Sequence, residues 1–269
     1  GQHEPWIIRP NDRCTVLING HKLITGYVDK LNPSVDSNSR KIGVSGRDKT
    51  ADFVDCSFEI NKKQFIGQTL DAIAKVLAKP FGLNVVMVGK PGDPFKDTKM
   101  QEGETCFESL DRLAKMRGFL LKTDGLGSIV ITRPSGKRAT TALEQGKNIL
   151  SISANFDNSD RFSDYIVKAQ TNNFAEEIDP SKAFQVRATA KDKGVSRYRP
   201  MVFVAEQGAT QKEAQDRVNW EATTRAAKAA KFQVTVQGWT QADDSLWLPN
   251  QLVRVKSTWV GVNQDLLIT

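Results

Sequence analysis

Apolar positions in the first fifty residues fall in short runs with turn residues between them. Cys14-Thr15-Val16-Leu17-Ile18 follows the turn cluster Pro10-Asn11-Asp12, and Lys22-Leu23-Ile24-Thr25-Gly26-Tyr27-Val28 follows Asn19-Gly20. Asn-Gly between two β-prone runs predicts a hairpin, because both central positions of a type I′ turn need positive φ. The polar residues from Asn32 to Arg40 predict a loop, and Lys41 to Gly46 a third strand.

Near residue 58 the period of two gives way to that of a helix. Leu70, Ile73, Ala74 and Leu77 stand at i, i+3, i+4 and i+7 between Thr69 and Lys79, one face of a helix closed by Pro80 and Gly82. The apolar run Leu83 to Val88 follows as a strand. Thr105-Cys106-Phe107-Glu108 is a capping box ahead of a second helix, with Phe107, Leu110, Leu113 and Ala114 on its face and Gly118 at its end. Phe119-Leu120-Leu121 and Ser128 to Thr132 are strands. Leu70-Asp71-Ala72-Ile73-Ala74-Lys75 matches Leu110-Asp111-Arg112-Leu113-Ala114-Lys115, so two helix-strand units repeat one plan. Together they predict an α+β module over 59–134.

From Thr132 to Lys147 the chain is basic and turn-rich, a linker out of the module. Strand patterns resume at Ile149 to Phe156, Arg161 to Gln170 and Phe184 to Thr189. Thr210-Gln211-Lys212-Glu213, another capping box, opens an alanine-rich helix near 210–231, whose small side chains let a neighbouring backbone approach. Phe232 to Gln237 then alternates strictly, the mark of a strand with one buried face.

One repeat runs the length of the chain. Pro10-Asn11 is followed by Val16 and later by Leu23-Ile24-Thr25; Pro249-Asn250 is followed at the same distance by Val255 and later by Leu267-Ile268-Thr269. Matching the two Leu-Ile-Thr triplets makes the second hairpin five residues longer, since 23 − 10 is 13 and 267 − 249 is 18. The repeat predicts two related β-domains flanking the module, the second copy ending inside a strand pair. The fold class expected is therefore α+β, mainly β, divided as 1–58, 59–134 and 135–269.

Composition excludes more than it proposes. The 269 residues, 39% hydrophobic and 26% charged, suit two or three globular domains rather than a disordered chain. No apolar run approaches the roughly 18 residues of a membrane helix. Gly1-Gln2-His3-Glu4-Pro5 has neither an initiator Met nor the plan of a signal peptide, and reads as a start cut from a longer chain. Cys14, Cys56 and Cys106 are odd in number and lack a CxxC, which predicts separate reduced thiols; with only His3 and His21 beside them, no metal site is expected.

Neither Gly136-Lys137 nor Gly146-Lys147 has the earlier glycine of a phosphate loop. Gly125-Leu126-Gly127 is a turn, Gly43-Val44-Ser45-Gly46-Arg47 is not followed by the helix of a serine elbow, and Asp243-Asp244 sits in a polar loop. No catalytic residue and no cofactor is expected, and the protein reads as a non-enzyme. The surplus of seven positive charges is dispersed, with Arg133, Lys137, Arg138 and Lys147 the one cluster that suits a DNA-facing surface. Gly67-Gln68-Thr69-Leu70-Asp71 resembles the opening of LysM peptidoglycan-binding modules, so Gln68, Thr69 and Asp71 are candidate wall contacts in an alternative reading as a wall-binding or wall-degrading tail module. The plainer reading is a helix start capped by Thr69.

Gly26-Tyr27-Val28-Asp29, Gly46-Arg47-Asp48-Lys49-Thr50-Ala51-Asp52 and Asp55-Cys56-Ser57 resemble the baseplate hub proteins of Mu-like phages, which group with late-control D-type tail proteins and the hub part of VgrG spikes. Arg161-Phe162-Ser163-Asp164-Tyr165, Arg197-Tyr198-Arg199-Pro200 and Trp247-Leu248-Pro249-Asn250 extend the likeness over nearly the whole chain. The resemblance implies two β-barrel domains around an α+β insert, a homotrimer forming a pseudo-sixfold ring, and further β-strands before Gly1 and after Thr269. It implies a structural role in the baseplate of a contractile virion tail, assembled in the host cytoplasm. The partners would be spike, tail-tube or other baseplate proteins, with DNA passing through without being read.

Overall fold

The computed structural model describes residues 8–59, 64–134, 136–169, 186–204 and 210–269. His3, Ser135, Gln170 and the first two residues of the strand expected from Phe184 lie outside them. The chain divides into two units, Gly1–Ala114 with Leu120–Thr132, and Lys115–Phe119 with Arg133–Thr269.

In the first unit β1 (Arg13–Ile18), β2 (His21–Val35) and β3 (Arg40–Asp48) form an antiparallel sheet in that order. Asn19 (φ 49°) and Gly20 (φ 82°) make the expected hairpin turn. The loop expected from Asn32 is instead strand as far as Val35, because the ladder to β3 continues through Asn32↔Gly43, Pro33↔Ile42 and Val35↔Arg40. β1 pairing has ended at Arg13↔Tyr27, so Pro33 sits where β2 has only one partner, the setting in which a strand tolerates proline. The true turn is four residues, held by Asp36, whose Oδ1 accepts the N–H of Asn38 (2.8 Å) and of Ser39 (2.7 Å).

A five-residue helix, α1 (Ala51–Asp55), follows. It is too short to show a period in sequence, and it buries Phe53 edge-on against Phe81, centroids 5.9 Å apart. Then come β4 (Gln64–Gln68), α2 (Leu70–Ala78) with a 3-10 turn at Lys79–Phe81, β5 (Asn84–Met87), β6 (Phe95–Lys99), α3 (Cys106–Met116), β7 (Leu120–Thr123) and β8 (Ser128–Thr132). Leu70, Ile73, Ala74 and Leu77 are wholly buried, as their spacing predicts; each large one contributes about 1.5–3 kcal/mol by burial. On α3 the buried face is Cys106, Ser109, Leu110, Leu113 and Ala114, while Phe107 is only half-buried. The capping box is real: the Thr105 N–H donates to Glu108 (2.9 Å) and the Glu108 N–H to Thr105 Oγ1 (3.1 Å). β8 lies between β5 and β7 with all five residues buried. The pair β4–β6 was not legible, since its residues are largely polar.

The second unit holds β9 (Leu143–Glu144), β10 (Ile149–Phe156), β11 (Asp164–Ala169), β12 (Val186–Lys191), β13 (Pro200–Val204), α4 (Gln211–Lys228), β14 (Ala230–Val236), β15 (Leu252–Ser257) and β16 (Val262–Leu267). α4 begins with the expected capping box at Thr210 and Glu213 and packs Ala214 and Val218 on Tyr165, Val167, Ala169, Val186 and Ala188 of β11 and β12. Ala214 meets the sheet as foreseen, whereas Ala227 is exposed. A separate core gathers Leu143, Val253, Val255 and Val262, covered by Ile152, Phe232, Val234 and Trp247 among others. The fold is mainly β, and among the described residues its strands form sheets of two or three.

The long-range repeat has a structural counterpart, in a different register from the one the triplets suggest. Asn11 (φ 74°) and Asn250 (φ 68°) both take the left-handed conformation just before β1 and β15. The Asn11 N–H donates to Val28 O (2.7 Å) and the Val28 N–H to Asp12 O (2.9 Å); the Asn250 N–H donates to Ile268 O (2.8 Å) and the Ile268 N–H to Gln251 O (2.9 Å). Val28 therefore corresponds to Ile268, and Thr269 to Asp29 rather than to Thr25. The second hairpin is one residue longer, not five, because 28 − 11 is 17 and 268 − 250 is 18. Its turn has two residues more than Asn19-Gly20, and the β-bulge after Val16 in the first hairpin returns one of them.

Candidate functional site

The Gly-Arg-Asp stretch that looked most specific in sequence is a clamp within the first unit. Where β2 crosses β3, a Cβ on Gly26 would lie 1.9 Å from the Arg47 carbonyl oxygen, and one on Gly46 would lie 2.1 Å from that of Tyr27. Only glycine permits this approach. Beyond it, Arg47 donates from Nε to Asp29 (2.8 Å) and from Nη2 to Asp55 (2.8 Å). These bonds raise the Arg47 pKa and hold the Asp55 carboxyl below the usual range. Asp48 accepts from the Thr50 N–H (2.9 Å) with one oxygen and from Thr123 Oγ1 (2.5 Å) with the other, fixing the start of α1 and the end of β7.

Arg161-Phe162-Ser163-Asp164-Tyr165 does the same work in the second unit. Arg161 binds Asp192 through Nε and Nη2, both at 2.9 Å, and each holds the other's charge: the Arg161 pKa is raised and that of Asp192 lowered. A Cβ on Gly194 would lie 2.2 Å from Arg161 Nη2, so any other residue there would push the guanidinium off Asp192. Tyr165 Oη accepts the Phe162 N–H (3.0 Å), and the Arg199 guanidinium stacks over the Phe162 ring at 4.9 Å. Both motifs hold backbone, and their hydroxyls are taken up in the same local turns: Thr50 Oγ1 donates to Asp48 (2.5 Å), and Ser163 Oγ donates to Asp164 (2.7 Å) while accepting the Arg199 N–H (2.8 Å).

The four basic candidates are dispersed among local partners. Arg133 lies over the Phe119 ring (4.4 Å) and donates to Arg117 O (3.1 Å). Arg138 pairs with Asp265 (2.5 Å), which raises its pKa and lowers that of Asp265. Lys147 pairs with Glu144, which also holds Lys256 (2.8 Å); the two lysines bring Glu144 down to about 2. Lys137 gives its carbonyl to the Leu252 N–H (2.8 Å). Of the wall-contact candidates, Gln68 ends β4, and Thr69 donates to Asp71 (2.6 Å), which also holds Lys75 (2.9 Å). The Thr69 bond first, then Lys75, lowers the Asp71 pKa. Thr69 precedes α2 but makes no side-chain cap.

What sequence reasoning missed is a surface. The register sets Val16 opposite Ile24, Val44 opposite Leu31 and Ile42 opposite Pro33, with Val35 two residues beyond Pro33, all on one face of the β1–β2–β3 sheet. Val16, Ile24, Val35, Ile42 and Val44 are exposed there, Val35 at 74%. The signal was present as alternation in Lys41 to Gly46, but alternation does not say which face stays open. The arrangement offers contact area and no reaction centre.

Comparison with known proteins gives this surface a context. The family model for the second domain of gp44-like baseplate hub proteins matches residues 50–133. Models for the N-terminal domain of Mu phage baseplate assembly protein GpP-like proteins and for the fourth domain of GpP match 1–48 and 210–269. Baseplate hub protein gp44 of Escherichia phage Mu is 35% identical over 267 residues, which is 97% of this chain and 70% of that protein. Among solved structures, the 43 kDa tail protein of prophage MuSo2 from Shewanella oneidensis matches with a TM-score of 0.82 at 38% identity, over 99% of this chain and 78% of its own. The tail protein from Neisseria meningitidis MC58 shares the fold, with a TM-score of 0.76 at 21% identity over 95% and 77% of the two chains.

Proposed function

Because the chain belongs to the Mu-like phage baseplate hub family, a family of virion tail structural proteins, we propose that it acts as a homotrimeric hub that joins the tail tube to the central spike and lines the passage for DNA. In this reading the divisions 1–58 and 135–269 are two related β-barrel domains about the α+β insert 59–134, and the ring is assembled in the host cytoplasm. It has no reaction to catalyse.

The observation that carries the reading is the open apolar face of the first sheet. Aliphatic side chains at Val16, Ile24, Ile42 and Val44 are exposed on one face, whereas the corresponding hairpin β15–β16 has Val253, Val255 and Val262 buried. Exposed aliphatic side chains gathered on one sheet face, here on either side of the buried Val28, mark an interaction surface. Arg133, Lys137, Arg138 and Lys147 face the passage in this reading, where partial neutralisation by Asp265 and Glu144 leaves a field that lets DNA slide without holding it. Thr69 and Asp71 are engaged at the start of α2, which gives the wall-binding alternative no support.

Sedimentation of the full-length protein at micromolar concentration tests the proposal. A trimer that Val44→Asp dissociates is expected, and a clean monomer overturns it.

A further inference from the structure

Cys56 and Cys106 stand fifty positions apart in sequence (106 − 56), yet the fold sets them side by side within the first unit. Cys56 follows α1 in extended conformation (φ −94°, ψ 141°). Ser57 pairs with Thr105 in an isolated antiparallel bridge, and the Cys106 N–H donates to the Cys56 carbonyl at 2.9 Å. That register puts Cys56 opposite Cys106. Residues opposed in an antiparallel pair have Cα atoms about 4.5–5.5 Å apart and side chains on one face, within the roughly 4.4–6.8 Å that a disulfide spans. Cys14, by contrast, stands opposite Gly26.

We infer that Cys56 and Cys106 are a reversible dithiol–disulfide pair, open in a reducing medium and closed by exchange with a small-molecule disulfide such as oxidised glutathione. The two thiols divide the work by exposure: Cys56 is exposed and Cys106 is fully buried. Cys56 as thiolate attacks one glutathione sulfur, the glutathione S–S bond breaks, and one reduced glutathione leaves with the proton. Cys106 then gives its proton to water and attacks the Cys56 sulfur, expelling the second glutathione, which takes up a proton. The protein loses two protons and two electrons, and one glutathione disulfide becomes two thiols. Burial, and next the nearby Cys56, push the Cys106 thiol up to about 11, which keeps it from starting the exchange, and its place opposite Cys56 is what lets it resolve the mixed disulfide.

Closure encloses β4, α2, β5 and β6 in a covalent loop and ties the end of α1 to the start of α3. A virion protein made in a reducing compartment and released into an oxidising one meets both conditions. The inference stands on geometry within one unit and does not depend on the trimer.

The full chain, reduced, freed of reductant and incubated with oxidised glutathione, is unfolded and alkylated with a maleimide. One label of a possible three, on Cys14, a protein two hydrogens lighter, and a peptide pair joining Cys56 to Cys106 are expected. The unfolding midpoint should rise by roughly 5–10 °C and fall back on reduction. Cys56→Ser, an exposed and conservative change, should take two labels and show no rise. Glutathione retained on Cys56 with Cys106 still alkylatable, or any crosslink through Cys14, overturns the inference.

Discussion

The hairpins β1–β2 and β15–β16 begin identically and are held by different means. Each is entered through Pro-Asn with the asparagine in the left-handed region, and each closes with the same reciprocal pair of backbone bonds. The second then buries Val253, Val255 and Val262 in an apolar core. The first buries Val28 but leaves Val16, Ile24, Ile42 and Val44 of the same face exposed, and is fixed where β2 meets β3, by contacts that only Gly26 and Gly46 allow and by the Arg47 clamp on Asp29 and Asp55. One hairpin is secured by side chains and the other by backbone. A hairpin that does not need its apolar face for its own stability can present that face to a partner.

Two substitutions break this contrast from opposite sides. Val255→Asp puts an unpaired charge in the core of the second unit, where Val255 is 1% exposed, and should cost about 4 kcal/mol or more. The aspartate at the matching place in the first hairpin, Val16→Asp, should leave the unfolding of the isolated chain within about 0.5 kcal/mol of the parent. The first unit answers to Gly46→Ala instead, since a methyl 2.1 Å from a carbonyl oxygen forces the two strands apart, at about 3 kcal/mol. Urea unfolding of the three variants measures this, and equal sensitivity of Val16 and Val255 would erase the distinction.

The asparagines test the part the hairpins share. A left-handed residue other than glycine costs about 1–2 kcal/mol where the side chain cannot bond locally. Asn11→Ala and Asn250→Ala should both destabilise by that order. Asn250→Ala should cost more, because Asn250 Nδ2 also donates to Arg133 O at 3.2 Å. Asn11→Gly should be close to neutral, and Asn250→Gly should lose only the side-chain bond to Arg133. A large loss at one and none at the other, read from the same unfolding curves, would mean that the shared Pro-Asn opening is not one structural device.

Much of the fold was legible because it follows local rules. Asn19-Gly20 forms its turn from φ preference alone, and the capping boxes at Thr105 and Thr210 close as written. The periodic residues Leu70, Ile73, Ala74 and Leu77 are all buried. What failed depended on partners distant in sequence. Residues 32–35 are strand because β3 pairs with them, and the Leu-Ile-Thr triplets mismatched because a bulge and a longer turn change the count. The site was less legible still. Gly46-Arg47-Asp48 was singled out together with the stretches that hold Tyr27, Asp29 and Asp55, but nothing in the sequence said that these residues meet, and Thr123 stands in none of them. The meeting of Cys56 and Cys106 likewise needs the α1–α3 bridge.

The smallest effect concerns the far edge of the second hairpin. There β15 pairs in parallel with β9, and Glu144 on β9 holds both Lys256 of β15 and Lys147 of the turn after β9; in the described sheet of the first unit, β1 is an edge strand. The lysines bring Glu144 from its ordinary 4.5 to about 2 in the folded state. A carboxyl lowered by folding contributes stability that is fully present above its unfolded value and is lost as pH falls through the folded one. Glu144→Gln should therefore lower the urea midpoint slightly at pH 7, and the difference from the parent should shrink below pH 4.5 and vanish near pH 2. Because the glutamate and its lysines are near the surface, the difference at pH 7 should also shrink in molar salt, whereas that of Gly46→Ala, a steric effect, should not. No Glu144→Gln difference at pH 7 would mean that the edge is held by backbone pairing with β9 alone, bringing the two hairpins closer in kind than their cores suggest, and a difference that persisted unchanged to pH 2 would mean that the carboxylate charge is not what holds it.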